Sequence, residues 1–226
     1  MASLNEESAD FYALYYQKLF AGNTLLRSMK RITHKKLEKN LQSSIFQSVL
    51  EIGAGNGEHF PFVKHEFDSY NMIDLITPEI SGNILDNRIT RYQGDFESFD
   101  FGASKFDRII MTCVLHHMNN PAKALSKIKD LMEPGGLFSL FLPCDPGFLN
   151  RVNRFAIVNP IAKMIGVPNY PLVNAIEHRN HIWSLHQIVK STFKDSTISI
   201  KYFPSRIRIF DLNTFVIYQI WNRDTN

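Results

Sequence analysis

Cysteine is almost missing from this chain: Cys113 and Cys144 are the only two in 226 residues. Two thiols do not make the disulfide framework of a small secreted domain, so a reducing, cytoplasmic compartment is expected. Both fall near the ends of what should be neighbouring strands, where buried thiols are expected. Long apolar runs are lacking as well. The longest, such as Leu137 to Leu142, is far too short to cross a bilayer, so no membrane partner is expected. The opening Met-Ala-Ser-Leu-Asn-Glu-Glu is polar and acidic and shows no secretory signal. Nor is there an excess of one charge. The net charge is +3 with the basic residues spread along the chain, which argues against a nucleic-acid partner. Internal repeats and low-complexity tracts are absent too. What is there, 44% hydrophobic and 21% charged residues, suits one α/β domain over residues 1–226, a monomer or a homodimer.

The most informative stretch is Ser48-Val49-Leu50-Glu51-Ile52-Gly53-Ala54-Gly55-Asn56-Gly57-Glu58. A short apolar run with an acid inside it, ending in three alternate glycines, reads as a buried parallel strand breaking into a tight turn. Glycine suits a turn with unusual dihedrals that lies against a ligand. A dinucleotide fingerprint, G-x-G-x-x-G, would place its third glycine one residue later, where Glu58 stands, and a carboxylate there repels a diphosphate. A cationic ligand without phosphate fits better. Acid-x-Gly-x-Gly-x-Gly resembles the first motif of the class I S-adenosylmethionine-dependent methyltransferases.

Further signals follow in order. A helix is expected over 58–66. Ser69 to Leu75 reads as a second strand with Asp74 near its end, 17 residues past Gly57 and close to the roughly 20 expected of a ribose-binding acid. Asp74 also suits a plain helix cap. Residues 89–93 are a third strand, followed by Gly94-Asp95-Phe96-Glu97, which equally fits an ordinary turn. Phe106 to Val114 is the clearest strand and ends in Leu115-His116-His117. A helix over 122–132 with Pro121 at its start, then Pro134-Gly135-Gly136 and a fifth strand over 137–142, complete the series. From about residue 46 to 143 this succession is similar to the methyltransferase family throughout.

The resemblance implies a Rossmann-like, seven-stranded, mostly parallel sheet with an antiparallel last strand. It assigns the cofactor S-adenosyl-L-methionine to Glu51, Gly53, Ala54, Gly55, Asn56 and Gly57 at the turn. Asp74 and Leu75 follow for the ribose, Asp95 and Phe96 for the adenine, and Thr112 and Cys113 at the fourth strand's end. Around this core (45–143), residues 1–44 read as an N-terminal helical extension over 8–20 and 24–41, with Leu25, Met29, Ile32 and Leu37 as its apolar face. Tyr12, Tyr16 and His34 there suit either packing or contact with substrate. Residues 144–183 exceed an ordinary connection and read as a helical substrate cap inserted after the fifth strand. Residues 184–226 supply a helix and two strands, near 196–203 and 213–221.

Methyl transfer is an in-line displacement in which alignment supplies about 7–11 kcal/mol and a general base about 10²–10⁴-fold. His117 and His181 are the candidate bases; Glu177, one helical turn before His181, would orient it. Arg151, Arg154, His178 and Arg179 suit a small anionic acceptor such as a phosphate- or nucleotide-bearing sugar. His178, His181 and His186 lack a complete zinc spacing, so no metal is expected. Asn-Pro-Pro-Tyr or Asp-Pro-Pro-Tyr after the fourth strand, the mark of an amino-directed nucleic-acid enzyme, is missing, which leaves small molecules; the expected acceptor is a hydroxyl of a sugar or other metabolite. The alternatives are a non-catalytic binding protein of this fold and an NAD-binding oxidoreductase.

Overall fold

The computed structural model describes residues 19, 24–76, 78, 86–167 and 169–223. Its centre is one seven-stranded sheet, in spatial order β3-β2-β1-β4-β5-β7-β6. The strands are β1 (Ile45–Ile52), β2 (Glu66–Asp74), β3 (Ile89–Gln93), β4 (Phe106–Thr112), β5 (Met132–Pro143), β6 (Thr197–Pro204) and β7 (Asn213–Trp221). β1 pairs in parallel with β2 and β4, and β7 runs antiparallel to both β5 and β6. β1 and β4 lie inside the sheet because their apolar runs satisfy both faces. β5 begins earlier than its apolar run suggests. Pro134-Gly135-Gly136 stays within the strand, and the register with β4 slips between Phe106 and Arg108 to accommodate it.

Helix α1 (Thr24–Leu37) covers one face of the sheet, where Leu37 and Leu41 pack with Val49, Tyr70, Ile110 and Ile217. The other face carries α2 (Pro121–Leu131), whose Leu125 and Ile128 meet Ile109 and Leu140. The cap after β5 contains α3 (Phe148–Asn153), a π-helical turn (Arg154–Val158), α4 (Asn159–Met164) and α5 (Tyr170–Glu177). α6 (Ile182–Thr192) then joins α2 through Leu185 and Val189. Leu19 and Leu26 pack with Val158, Ala162 and Val173, so the extension and the cap share a core of their own. No helix among the described residues is long and apolar enough to cross a membrane.

Three expectations need correction or fall outside the description. The expected helix over 58–66 is only a 3₁₀ turn, Phe60–Phe62. Pro61 removes a backbone donor there, and the stretch is too short to repay helix nucleation. Side chains anchor it instead: Phe60 meets Tyr70 edge-on at 5.0 Å. On α1 the buried stripe is Leu26, Thr33, His34 and Leu37, continued by Glu38 in the turn that ends the helix, whereas Leu25 and Ile32 are each 50% exposed. The apolar pattern misplaced that face because its buried side is partly polar. Apart from Leu19, the helix expected over 8–20, with Tyr12 and Tyr16, lies outside the described residues.

That polar side has a definite structure. Arg108 is completely buried on β4, and its guanidinium forks onto the Glu38 carboxylate, one bond being 3.1 Å. His59 donates from Nε2 to Glu38 Oε1 at 2.8 Å, and its Nδ1 lies 2.9 Å from Nδ1 of His34. Phe46 lies beneath the guanidinium, 5.2 Å from ring centre to Cζ. One fully desolvated cluster thus fastens α1, the loop after the glycine turn and the middle of the sheet together.

Burial raises the Glu38 pKa, but the His59 hydrogen bond and the Arg108 charge outweigh it and hold the group at about 2. Its contribution is therefore complete above the unfolded value of about 4.5 and fades as pH falls toward 2. His34 behaves oppositely. Burial first, then the charges of His59 and Lys30, depress it to about 2, so the unfolded chain takes up a proton below about pH 6.5 that the folded chain refuses. Taking the pH from 7 to 5 should thus cost about 2 kcal/mol through His34 alone. A His34→Gln variant should lose correspondingly less thermal stability over that interval. Equal losses in the two proteins, read by melting at each pH, would show that His34 is not held neutral.

Candidate active site

The chain leaves β1 through Gly53, Gly55 and Gly57, all in the left-handed region (φ +69°, +53° and +66°). The amides of Gly53 and Ala54 donate to the Ile73 carbonyl at 2.8 and 3.2 Å, which ties the turn to the end of β2. Two of the glycines are needed for different reasons. A Cβ on Gly53 would stand 2.1 Å from a Val114 methyl, whereas one on Gly55 would meet nothing within 4 Å. Gly53 thus serves packing, and Gly55 faces open space.

Asp74, at the end of β2, accepts the Gly55 amide on Oδ2 at 2.8 Å. Each carboxylate oxygen has a further lone pair, so the group can still take the hydroxyls of a ribose. Leu75 and Ile76 beside it are 69% and 70% exposed, large apolar side chains that a flat ring would cover. Asp95 is exposed past β3, its Oδ1 closing a turn onto the Glu97 amide at 2.9 Å. Thr112 ends β4, and Cys113 follows with φ +57°. These strand ends form one edge of the sheet, where open α/β folds bind ligands. An acceptor for a ribose diol, an acceptor for an adenine amine and an uncrowded glycine turn are the parts that S-adenosylmethionine requires, and the residues present fit it.

Several expected members of the site lie elsewhere. Phe96 is buried in the core, under the Lys127 ammonium and beside Phe101, so its side chain does not border the cleft. Glu51 is buried and accepts the Tyr70 hydroxyl at 2.7 Å, and burial raises its pKa. His34 lies inside the α1 cluster, stacked on Phe62. Cys113 is exposed rather than buried, while Cys144 is buried as expected. Glu58 forms an ion pair with Lys30 of α1, so its charge is met from within the chain.

A second cluster stands at the end of β4. The 3₁₀ turn Leu115–His117 carries His116 and His117, with ring centres 3.9 Å apart. His178, just past α5, adds a third ring at 4.5 Å from His116 and 5.3 Å from His117. The three rings offer nitrogens all within 4.8 Å of one another. His117 Nδ1 donates to the Glu177 carbonyl at 2.8 Å, with Glu177 Oε2 at 3.4 Å. His178 Nδ1 donates to Asp145 Oδ2 at 2.6 Å, and Arg154 pairs with the same oxygen.

Burial, and after it the charges of neighbouring histidines, pushes His116 far below its usual pKa. His178 is lowered too, burial outweighing the hydrogen bond to Asp145. Both rings are neutral at pH 7. Asp145 is held low by His178 and Arg154 against the upward push of burial. Asn180 donates to the carbonyls of His116 (3.2 Å) and Met118 (2.8 Å), and Arg179 to Asn119 Oδ1 at 2.6 Å, which fastens the cap to this loop.

Glu177 therefore serves His117 and not His181. α5 ends at Glu177, so the turn expected to bring Glu177 and His181 together is never made. His181 is exposed, and its ring forms no hydrogen bond among the described residues. His186 bonds Tyr218 at 2.9 Å and stands apart from the cluster. Arg154 is engaged by Asp145, and Arg151 is exposed. The sequence reading missed Asp145 and His116. The signal for Asp145 was close to that for Asp74, an acid at the C-terminal end of a strand: Asp74 closes β2, and Asp145 stands two residues past β5.

A search of curated protein sequences returns no match. Among solved structures, the plantazolicin methyltransferase BpumL, complexed with a desmethyl analogue and S-adenosylhomocysteine, matches at TM-score 0.65 and 13% identity, covering 98% of each chain. The N-methyltransferase NodS of Bradyrhizobium japonicum, also with S-adenosylhomocysteine, matches at TM-score 0.58 and 18% identity, over 98% of this chain and 97% of that one. The 1,6-didemethyltoxoflavin-N1-methyltransferase of Burkholderia thailandensis matches at TM-score 0.62 and 16% identity, over 99% of this chain and 89% of that one. At such identities these likenesses show the fold. The family model described as "Methyltransferase domain" matches residues 16–188, and the chain belongs to that family.

Proposed function

We propose that this chain transfers the methyl group of S-adenosylmethionine to a hydroxyl of a small-molecule acceptor, which is bound and deprotonated at the cluster of His116, His117 and His178. One observation carries the reading. The Glu177 carbonyl can only accept, so His117 Nδ1 keeps its proton and Nε2 presents a lone pair beside the end of β4. A group that takes a proton, or holds one that is leaving, thus stands at the strand end next to the glycine turn.

When bound, the cofactor supplies a methyl group on a cationic sulfur. The chain's own residues do the rest. Gly55 leaves room for the cofactor, and Asp74 and Asp95 accept from its sugar and base. The cap, pinned through Asn180, closes the acceptor side against water. Orientation and exclusion of water are the main requirements of a displacement that forms no bond to the protein. A dinucleotide reading is disfavoured by the turn itself. Its pyrophosphate needs a helix N-terminus after the glycines, and only the three-residue turn Phe60–Phe62 follows them.

Gly55→Val should abolish the heat of binding S-adenosylhomocysteine, by filling the cleft and straining a positive φ, and Asp74→Ala should weaken binding about 10- to 100-fold. Unchanged affinity in both would put the cofactor elsewhere. Gly53→Ala should instead lower the melting temperature, because its Cβ collides with Val114. With cofactor saturating, release of S-adenosylhomocysteine in the presence of sugar or phosphosugar acceptors should fall about 10²–10⁴-fold in His117→Ala. The same variant should bind S-adenosylhomocysteine normally. Wild-type turnover in His117→Ala would remove the cluster from the mechanism.

A further inference from the structure

We propose that His116, His117 and His178 bind one divalent transition-metal ion, zinc by its chemistry, with a fourth position open to the acceptor's hydroxyl. The proposal rests on the reading above for where the acceptor lies, and it specifies how the hydroxyl's proton is lost. The sequence pointed away from metal because it grouped His178 with His181 and His186. In space His178 meets two histidines from the turn after β4.

Three features of the cluster call for an ion. The first is the ligand set: three imidazoles with nitrogens inside 4.8 Å, a spread that small side-chain rotations bring to the about 3.3 Å edge of a tetrahedron with nitrogens 2.0–2.1 Å from zinc. Three histidines plus an open position is the pattern of a catalytic zinc, and imidazole nitrogen suits zinc and its transition-metal neighbours. The second is orientation. His178 Nδ1 is fixed by a carboxylate and His117 Nδ1 by a carbonyl, which leaves both Nε2 lone pairs unprotonated. Metal-bound histidines are held in this way almost without exception. Neither Nε2 has a hydrogen-bond partner among the described residues.

The third feature is unmet polarity. His116 is 97% buried by its 3% exposure, and its Nδ1 has no partner; Asp145 Oδ1, buried in the same cluster, has none either. Orphaned buried atoms of this kind mark a missing water or ion. Charge is accommodated as well. Arg154 is met by Asp145, and Glu177 lies 3.4 Å from His117, where it can offset a cation.

With the ion bound, His117 Nε2 is a ligand and the ion takes over the part given above to its lone pair, so the chemistry balances without a base on the protein. Zinc lowers the pKa of a bound water from 15.7 to about 7, and it acts on a bound hydroxyl in the same sense. The acceptor's hydroxyl gives its proton to the hydroxide it displaces from the ion, which leaves as water, while the hydroxyl's bonding pair stays on oxygen. That pair forms the bond to the methyl carbon as the carbon–sulfur pair returns to sulfur, giving a methyl ether and a neutral thioether.

The test uses the full chain, stripped with a chelator and titrated with Co²⁺. Visible ligand-field bands of a tetrahedral site should grow to one ion per chain, and Zn²⁺ should bleach them. Asp145→Asn, which loosens His178 without removing a ligand, should weaken Co²⁺ binding about 10- to 100-fold. His178→Gln should weaken it further. No band in the wild-type protein, or equal Co²⁺ affinity in wild type and His178→Gln, overturns the site; the first result needs no variant and so no folding control. S-adenosylhomocysteine titrated into the same samples separates the two readings. Its heat without metal binding defeats the metal site alone, and metal binding without its heat supports the site while defeating the methyl-transfer reading.

Discussion

The buried fork between Arg108 and Glu38 is the constraint on which the cofactor side of this molecule depends. In a parallel sheet the crossover from one strand to the next is usually a helix that covers the face and fixes both ends of the preceding turn. Between β1 and β2 this chain has only a 3₁₀ turn, so α1 must cover the face and something must hold the loop against it. His59 does the holding, bonded to the same carboxylate that Arg108 grips. Charges buried this deeply add little net stability over an apolar core of equal volume, yet removing one partner costs about 3–5 kcal/mol. The cluster therefore fixes one arrangement of α1 and the loop. Lys30, one turn from His34, then reaches Glu58 at the mouth of the glycine turn.

The sheet was legible where a strand's own composition decides its fate. β3 has the expected limits, and β2 and β4 differ from expectation only at their ends; β4, buried on both faces, carries the clearest apolar signature. Covering elements were less legible. The buried side of α1 carries Thr33 and His34 and is continued by Glu38 just past its end, a stripe that no hydrophobic pattern reveals, since the partner making burial of Glu38 tolerable is Arg108, 70 residues away. The missing helix after Gly57 failed for a similar reason: Pro61 was a local warning, but the anchors that replace helical bonds come from β2 and α1.

The site divides along the same line. The glycine turn, Asp74 and Asp95 are local features, and the structure places them together at the C-terminal ends of β1, β2 and β3. Phe96 was misjudged because the residue after an exposed acid turns inward to meet Phe101 and Lys127. The proposed acceptor side was read through neighbours in sequence, which paired Glu177 with His181. In the structure Glu177 reaches His117, 60 residues earlier, and His178 reaches Asp145, 33 residues earlier. Helical spacing could not supply either pairing, since α5 stops at the residue on which the argument turned.

The two halves of the site differ in what holds them. The cofactor side is backbone: amides of Gly53, Ala54 and Gly55 fixed to the end of β2. The proposed acceptor side is side chains on two loops, after β4 and after α5, joined through Asn180, Arg179 and Asp145. Backbone geometry serves a cofactor that never changes, whereas side chains on loops can be exchanged without disturbing the sheet. The cap that carries half of them packs on α1 through a separate core around Leu26, Val158 and Val173. α1 is in turn fixed to β4 by Glu38 and Arg108, and β4 delivers His116 and His117. The cap thus returns to the same strand by two routes, one dry and charged beneath the sheet face and one across the histidines. That closed circuit keeps loop-borne imidazoles in a single arrangement.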